Sequence, residues 1–481
     1  MKTSRVCLLS ALAASLAACG DFDAAVTTYC ANHPGTGGCD GGNATDSGSG
    51  GSGGGTGGGT GGGVGGGTGG GGGGGTGGGL GGGTGGAAGG GTSDSGLDAG
   101  EDAGQPDAGT SDAGALDAGA PDAGTDAGMS DAGLAWELAL GDEHTCAREL
   151  SSGLLRCFGH NQRRQLGGQF VGAVVDTPST PPSLPPADAL SAGGAHTCVL
   201  IDGGGVCFGM NTNGALGHPG SEPAVAPIGV TTIDAGIRQL TCGGRYENDF
   251  SCARTETNEV WCWGYNVEGQ LGSMGATGST ALRVTGVIAS QLSSFGNTSC
   301  AILTDAGLTC WGANDTGQLG QGTTLTITGP VLVPIGAAVT RIAVGVTHAC
   351  ALTSTGTVLC WGSPLDNRNG HDGGIGPAPV IGLASAREIS AGGTNSCAIL
   401  LNGQVRCWGI NDFAELGSPS TSAKGPVAVP LPAPALQVAT GGLHSCASLS
   451  NGEVWCWGYN GSGQVGQQNG LAQLPRKVPG L

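Results

Sequence analysis

Cysteine is the residue type in this 481-residue chain with the most chemistry open to it, and the chain holds nineteen of them. Fourteen fall into seven pairs with partners nine to eleven residues apart. They are Cys146 with Cys157, Cys198 with Cys207, Cys252 with Cys262, Cys300 with Cys310, Cys350 with Cys360, Cys397 with Cys407, and Cys446 with Cys456. Paired thiols either oxidise to disulfides or ligate metal. Structural zinc sites usually join two knuckles of two-to-four-residue spacing, and no such knuckle occurs in this sequence. Regular pairing of this kind points instead to disulfides and to an oxidising compartment. Cys30 and Cys39 bracket a short Asn-His-Pro-Gly-Thr-Gly-Gly loop that reads as a small local disulfide. Apart from Cys7 and Cys19 near the N-terminus, Cys242 alone lacks an obvious partner, either a free thiol or an intermolecular link, in a longer insertion containing Arg245 and Tyr246.

Histidine is the second candidate. His144, His196, His348 and His444 each stand two residues before the first cysteine of a pair, where Phe250, Thr298 and Asn395 stand in the other copies. A metal needs several ligands converging within about 2 Å of one point, whereas one residue per repeat makes a ring. These residues therefore read as polar hydrogen-bonding positions, and no metal or other cofactor is expected. No nucleophile motif, phosphate loop, His-Glu-x-x-His or recurring carboxylate pair is present. The expectation is a protein that is not an enzyme and has no evident small-molecule ligand.

The elements that must position these residues are hairpins. In the stretch from His348 to Gly362, apolar residues alternate on both sides of a short Ser354-Thr355-Gly356 turn, the pattern of two paired strands. If Thr353 faces Thr357, Cys350 lies opposite Cys360, within disulfide reach. Seven such units follow one another at 47 to 54 residues. An aromatic residue and glycine come after each second cysteine: Phe158-Gly159, Phe208-Gly209, then Trp-Gly in five copies. The Trp reads as packing between neighbouring units. A second segment follows in most copies, as in Asn266-x-x-Gly269-Gln270-Leu271-Gly272 and Asn314-x-x-Gly317-Gln318-Leu319-Gly320; the fifth copy breaks it from Pro364 to Gly370.

On these motifs residues 134–481 resemble the regulator-of-chromosome-condensation repeat family, in a form with a cysteine pair in each repeat that is similar to exported bacterial members. The resemblance implies an all-β, seven-bladed β-propeller. A period near fifty with four apolar stretches per copy also suits four-stranded blades. A Pro-rich stretch precedes each internal hairpin, but the one resembling it for the first hairpin is Leu474–Leu481, so the C-terminal strand is expected to complete the first blade and close the ring.

The N-terminal third delivers this domain. Residues 1–18 resemble a bacterial export signal with Lys2, Arg5 and a short apolar run. Leu16-Ala17-Ala18-Cys19 looks like a lipobox, which implies cleavage before Cys19, lipidation there, and an anchor in a bacterial, by Gly20 outer, membrane. Residues 19–40 form the lipidated N-terminus. Residues 41–133 are glycine-rich and then carry repeated Asp-Ala-Gly, with eleven acidic side chains and no Lys or Arg. Such a stretch buries too little apolar surface to fold and reads as a disordered stalk. The formal charge is −19, and residues from 134 onward carry 22 acidic and 15 basic side chains, net −7. Nucleic acid is excluded as a partner on this balance. The function expected is a lipid-anchored propeller, in the periplasm or at the cell surface, that binds an unknown protein through one face as an adhesion or interaction scaffold. The alternatives are guanine-nucleotide exchange, as the resemblance to eukaryotic members implies, and a secreted hydrolase or lyase.

Overall fold

The computed structural model describes residues 135–481 apart from 169–172, 182–183, 221–222, 224–227, 231–232, 234, 246, 373, 420–424 and 468–469. The signal stretch 1–18, Cys19, the loop between Cys30 and Cys39 and the stalk 41–133 lie outside the described residues.

Each hairpin forms where the cysteines, aromatics and alternating apolar residues place it. The first sheet contains β1–β4 (Trp136–Leu140, His144–Glu149, Leu155–His160, Val174–Ser179). The second contains β5–β8 (Ala189–Ala192, His196–Ile201, Gly204–Gly209, Ile228–Gly229). Strands β9–β15 (Ile237–Gly243, Phe250–Thr255, Glu259–Gly264, Gly278–Phe295, Thr298–Leu303, Leu308–Gly312, Val331–Leu332) make one continuous seven-stranded sheet. Three more four-stranded sheets follow. They are β16–β19 (Val339–Val344, His348–Thr353, Val358–Gly362, Ala378–Pro379), β20–β23 (Ala386–Ala391, Asn395–Leu400, Val405–Gly409, Val427–Ala428) and β24–β27 (Ala435–Thr440, His444–Leu449, Val454–Tyr459, Ala472–Lys477). All pairings are antiparallel, and the architecture is a β-propeller.

Two expectations are corrected. Five four-stranded blades stand separately rather than seven, because the 18-residue β12 runs unbroken from one hairpin to the next. It pairs with β11 from Gly278 to Ile288 and with β13 from Ala289 to Phe295. The C-terminal strand does not complete the first blade. β27 pairs with β26, Lys477 opposite Trp455 and Arg476 opposite Cys456, and the first blade draws all four strands from Trp136–Ser179. The reason is one of phase: each Pro-rich stretch folds back on the hairpin before it, as Val331 does on Cys310 and Val427 on Cys407. Proline is tolerated there because this strand is an edge with one side unpaired.

The closing seam is made by side chains and by the chain end. Val478 and Leu481 pack among Trp136, Leu138 and Phe158 of the first blade and Val454 and Val465 of the last. The Gln437 amide accepts from Leu138 N at 2.8 Å and donates to Leu138 O at 3.4 Å. At one end of the shaft the blades meet backbone to backbone: Val346 N donates to Gly392 O, Gly393 N to Gly441 O and Gly442 N to Gly141 O, at 2.9–3.1 Å. A side chain on Gly392 or Gly441 would run into the carbonyl of the next blade.

Candidate functional site

All seven cysteine pairs are disulfides, with Cα atoms 4.0–4.1 Å apart. Each lies directly across its hairpin. Cys157 on β3 faces Cys146 on β2, and Cys262 on β11 faces Cys252 on β10. The other five repeat this register, Cys207 facing Cys198, Cys310 facing Cys300, Cys360 facing Cys350, Cys407 facing Cys397 and Cys456 facing Cys446. Cys242 is buried and makes no disulfide among the described residues.

The second repeat motif is a scaffold for the loop after each hairpin. The Asn side-chain oxygen accepts from the backbone N five residues on, at 2.8–3.2 Å, from Asn161 to Leu166 through Asn460 to Val465. The Gln side-chain oxygen accepts from the backbone N two residues back, as Gln165, Gln270, Gln318 and Gln464 do at 2.8–2.9 Å. Glu415 takes that place in the sixth copy and accepts from Phe413 N at 2.7 Å. Burial, opposed by the backbone donors of Glu415 and Phe413 and assisted by Asp412, raises its pKa from 4.5 to about 8.

The carbonyl at this Gln position receives the next hairpin's Trp. Trp263 Nε1 donates to Ala215 O, Trp311 to Gln270 O, Trp361 to Gln318 O and Trp457 to Glu415 O, at 2.8–2.9 Å. The rings are fully buried, so their role is joining the units.

The His positions join units too. His144 Nε2 lies 2.9 Å from Thr197 Oγ1, His196 2.9 Å from Ser251 Oγ, His348 2.7 Å from Ser396 Oγ and His444 2.8 Å from Thr145 Oγ1. Asn395 does the same to Ser445 at 3.2 Å. Thr197, Ser251 and Thr145 donate their own protons to Gln165 O, Ala215 O and Gln464 O at 2.9 Å. Nε2 of His144, His196 and His444 must therefore carry the hydrogen. The hydroxyls just before the first cysteine, present in six copies and replaced by Ala349 in the fifth, are half of this device, and the sequence column of Ser and Thr at that place is its signal. Burial, with positive neighbours at His144 and His348, lowers His144, His348 and His444 from 6.5 to about 3.

His196 differs. Its Nδ1 lies 3.5 Å from Asp249 Oδ2, both side chains buried, while Asp249 Oδ1 accepts from Ala195 N at 3.3 Å. Ligand atoms of His196, Cys198 and Cys242 lie within 4.8 Å of one another. Burial opposes charge on His196, but Cys242 and Asp249 outweigh it and raise the pKa to about 10. Asp249 is not legible as a partner in the sequence, because the matching residue is Glu143, Ala195, Asn297, Thr347, Thr394 or Leu443 in the other copies. The insertion that carries it also leans on earlier loops, with Arg245 Nε 3.7 Å from Asp142 Oδ1 and Glu247 3.1 Å from Arg163.

Two hollows are present elsewhere. The shaft holds a cavity of about 80 Å³ lined by Ser191, Thr241, Ser294, Ser390 and Thr440 among others. A second, of about 420 Å³, is lined by Arg341 and Arg387. Both guanidiniums are occupied by main chain, Arg341 Nε donating to Arg387 O at 3.3 Å and Arg387 Nη2 to Ala435 O.

The geometry agrees with known proteins. The family model for the regulator of chromosome condensation (RCC1) repeat matches residues 237–270, 339–370, 386–414 and 436–464, and a second model of that repeat matches 308–352. The chain is 36% identical over 142 residues to the X-linked retinitis pigmentosa GTPase regulator of Canis lupus familiaris, covering 28% of this chain and 13% of that protein. It is 28% identical over 192 residues to the ultraviolet-B receptor UVR8 of Arabidopsis thaliana, covering 37% and 42%. The chain thus spans less than half the length of these curated relatives. Among solved structures its fold is similar to Prp20p of Saccharomyces cerevisiae (TM-score 0.60, 20% identity, 72% of this chain and 88% of that one). It is also similar to human WBSCR16 (TM-score 0.57, 23% identity, 64% and 85%). The chain carries RCC1 repeats on a β-propeller.

Proposed function

We propose that this protein is an exported, lipid-anchored propeller of seven blades that acts as a non-enzymatic protein-binding scaffold at a bacterial membrane. The observation that carries the reading is the set of seven buried intra-hairpin disulfides, which suits an oxidising compartment. In this reading the seven-stranded sheet is two blades joined through β12, each with its own disulfide hairpin, Cys252 with Cys262 in one and Cys300 with Cys310 in the other. The repeat's Asn, Gln, Trp and His side chains are spent on the scaffold, which leaves the connecting loops free to vary for recognition. Similar propellers support a protein partner: Prp20p has been described for its binding to Gsp1p and histones, and Kap60 is bound to the same yeast protein.

Membrane fractionation of the full chain against Cys19→Ser tests the anchor. The expected result is loss of detergent-phase partitioning in the variant, because stable anchoring needs the lipid chains. Continued partitioning refutes the anchor. In-cell crosslinking followed by purification tests the scaffold, with a defined protein adduct at fixed stoichiometry expected. Accelerated guanine-nucleotide release from a small GTPase would overturn the non-enzymatic reading.

A further inference from the structure

The interface between the second sheet and β9 brings a free thiol, a disulfide and an imidazole together. Ser191 on β5 lies directly across from Cys198 on β6. Cys242 on β9 is fixed against that same serine: its N–H donates to Ser191 Oγ at 3.0 Å, and its S–H donates to Ser191 O at 3.6 Å. The Cys242 sulfur is thereby held within 4.8 Å of the Cys198 sulfur, and a His196 ring nitrogen lies within the same distance of both. The other six copies place Leu140, Ala192, Ser294, Val344, Ala391 and Thr440 at the Cys242 register. Among the described residues, none of the other histidines two residues before a first cysteine has a carboxylate on Nδ1 as His196 does; His160, outside that position, faces Glu143 at 3.6 Å. His196 Nδ1 and Asp249 Oδ2 are buried, face each other at 3.5 Å and make no hydrogen bond.

An imidazole held charged by a carboxylate stabilises a neighbouring thiolate, and the thiolate is the attacking species in disulfide exchange. We propose that Cys242 exchanges with the Cys198–Cys207 disulfide. The Cys242 sulfur attacks Sγ of Cys198, the Cys198–Cys207 bond breaks, and a Cys198–Cys242 bond links β6 to β9. The proton given up by Cys242 is held on the imidazole and passes to the departing Cys207 sulfur. One thiol and one disulfide stand on each side, so no oxidant or reductant is consumed. His196 and Asp249 are positioning residues: the carboxylate faces the imidazole at 3.5 Å, and the ring lies beside the attacking sulfur. The hairpin disulfide of the second sheet is therefore exchangeable, and its alternative form adds a covalent staple between two sheets that also meet through packing, hydrogen bonds and the His196–Asp249 pair. This inference does not depend on where the protein resides.

The test uses the full chain. In Cys207→Ser, Cys198 and Cys242 both carry thiols, and gentle oxidation with diamide should join them, leaving the other six propeller disulfides unchanged on peptide mapping. A folded variant that keeps both thiols free overturns the proposal. The wild-type chain, incubated without added thiol at mildly alkaline pH and then acid-quenched and alkylated, should yield labelled Cys207 in step with the Cys198–Cys242 peptide. Labelling confined to Cys242 overturns the exchange even if the variant forms the link, and this arm stands if the variant fails to fold. His196→Asn, which places here the residue found at position 395, should slow link formation at neutral pH several-fold and make its rate rise more steeply with pH than in the wild-type chain. An unchanged rate and pH profile removes His196 from the mechanism.

Discussion

Replacing Glu415 by Gln should stabilise the protein, and only where the carboxyl would otherwise ionise. Four other copies have Gln at this place with the same acceptor bond to the backbone N two residues back, so the substitution keeps the geometry. Burial raises Glu415 from 4.5 to about 8. A raised carboxyl binds its proton more tightly when folded, so its contribution is intact below about pH 4.5 and is lost as pH rises through about 8. At 1.36 kcal/mol per unit the full loss has an upper limit of about 5 kcal/mol. Thermal melts of wild type and Glu415→Gln with disulfides intact provide the assay. The expected gain is roughly 3–6 °C at pH 9 and about 1 °C or less at pH 5. A gain of the same size at both pH values would refute the reasoning, because the side chain would then not titrate across this window in the folded protein.

Trp361→Phe removes a buried donor to Gln318 O and leaves that carbonyl short of a partner, which should cost about 1–2 kcal/mol beyond the lost area. Trp408→Phe should cost less in the same denaturant titration, since Trp408 Nε1 is buried without a hydrogen-bond partner. His144, His348 and His444 have folded pKa values lowered to about 3, so they stabilise the fold above about pH 6.5 and that stability is lost as pH falls towards 3. His444→Asn, for which the Asn395–Ser445 bond is the precedent, should therefore flatten the acid limb of a melting-versus-pH profile, and an unaltered limb would count against the buried neutral imidazole. Replacing Cys350 and Cys360 together by Ser should lower unfolding free energy by about 2.5–3 kcal/mol on the chain-entropy argument, read as a shifted denaturant midpoint.

The hairpins and their disulfides are legible in the sequence because each depends on residues within a dozen positions, and the packing role of Trp because a large ring recurs at one place in the repeat. Thr353 N does bond to Thr357 O, and Cys350 does face Cys360. Cys157, eleven residues from its partner, and Cys262, ten from its own, are found by the same local count. The ring-joining role of the His positions is legible in kind, since one polar residue per unit cannot converge on a point. Their partners are not, because Thr197 for His144 or Thr145 for His444 belongs to another repeat and only the closed ring brings them together. The phase of the repeat escapes the sequence for a related reason: a short Pro-rich edge strand fits by pattern on either neighbouring hairpin, and only the backbone pairing decides. The continuity of β12 has no signal either, since nothing in Gly278–Phe295 separates an outer strand from the inner one that follows. Hairpin five is a visible exception, and with its altered loop from Pro364 to Gly370 Trp408 lacks, among the described residues, the carbonyl that Trp263, Trp311, Trp361 and Trp457 find.

Because the last blade is complete in itself and meets the first only through side chains and loops, the seam is no different in kind from the other joints between separate sheets. The chain end at Leu481 also packs in the same cluster as Trp136. A gene rearranged to join these two ends and reopen between, for instance, β19 and β20 would thus leave every strand pairing intact. Whole units could likewise be duplicated or lost at such joints without cutting a sheet. β12 is where that freedom stops: a break there divides one strand shared by two hairpins, so this pair can be moved without cutting a strand only as a single module.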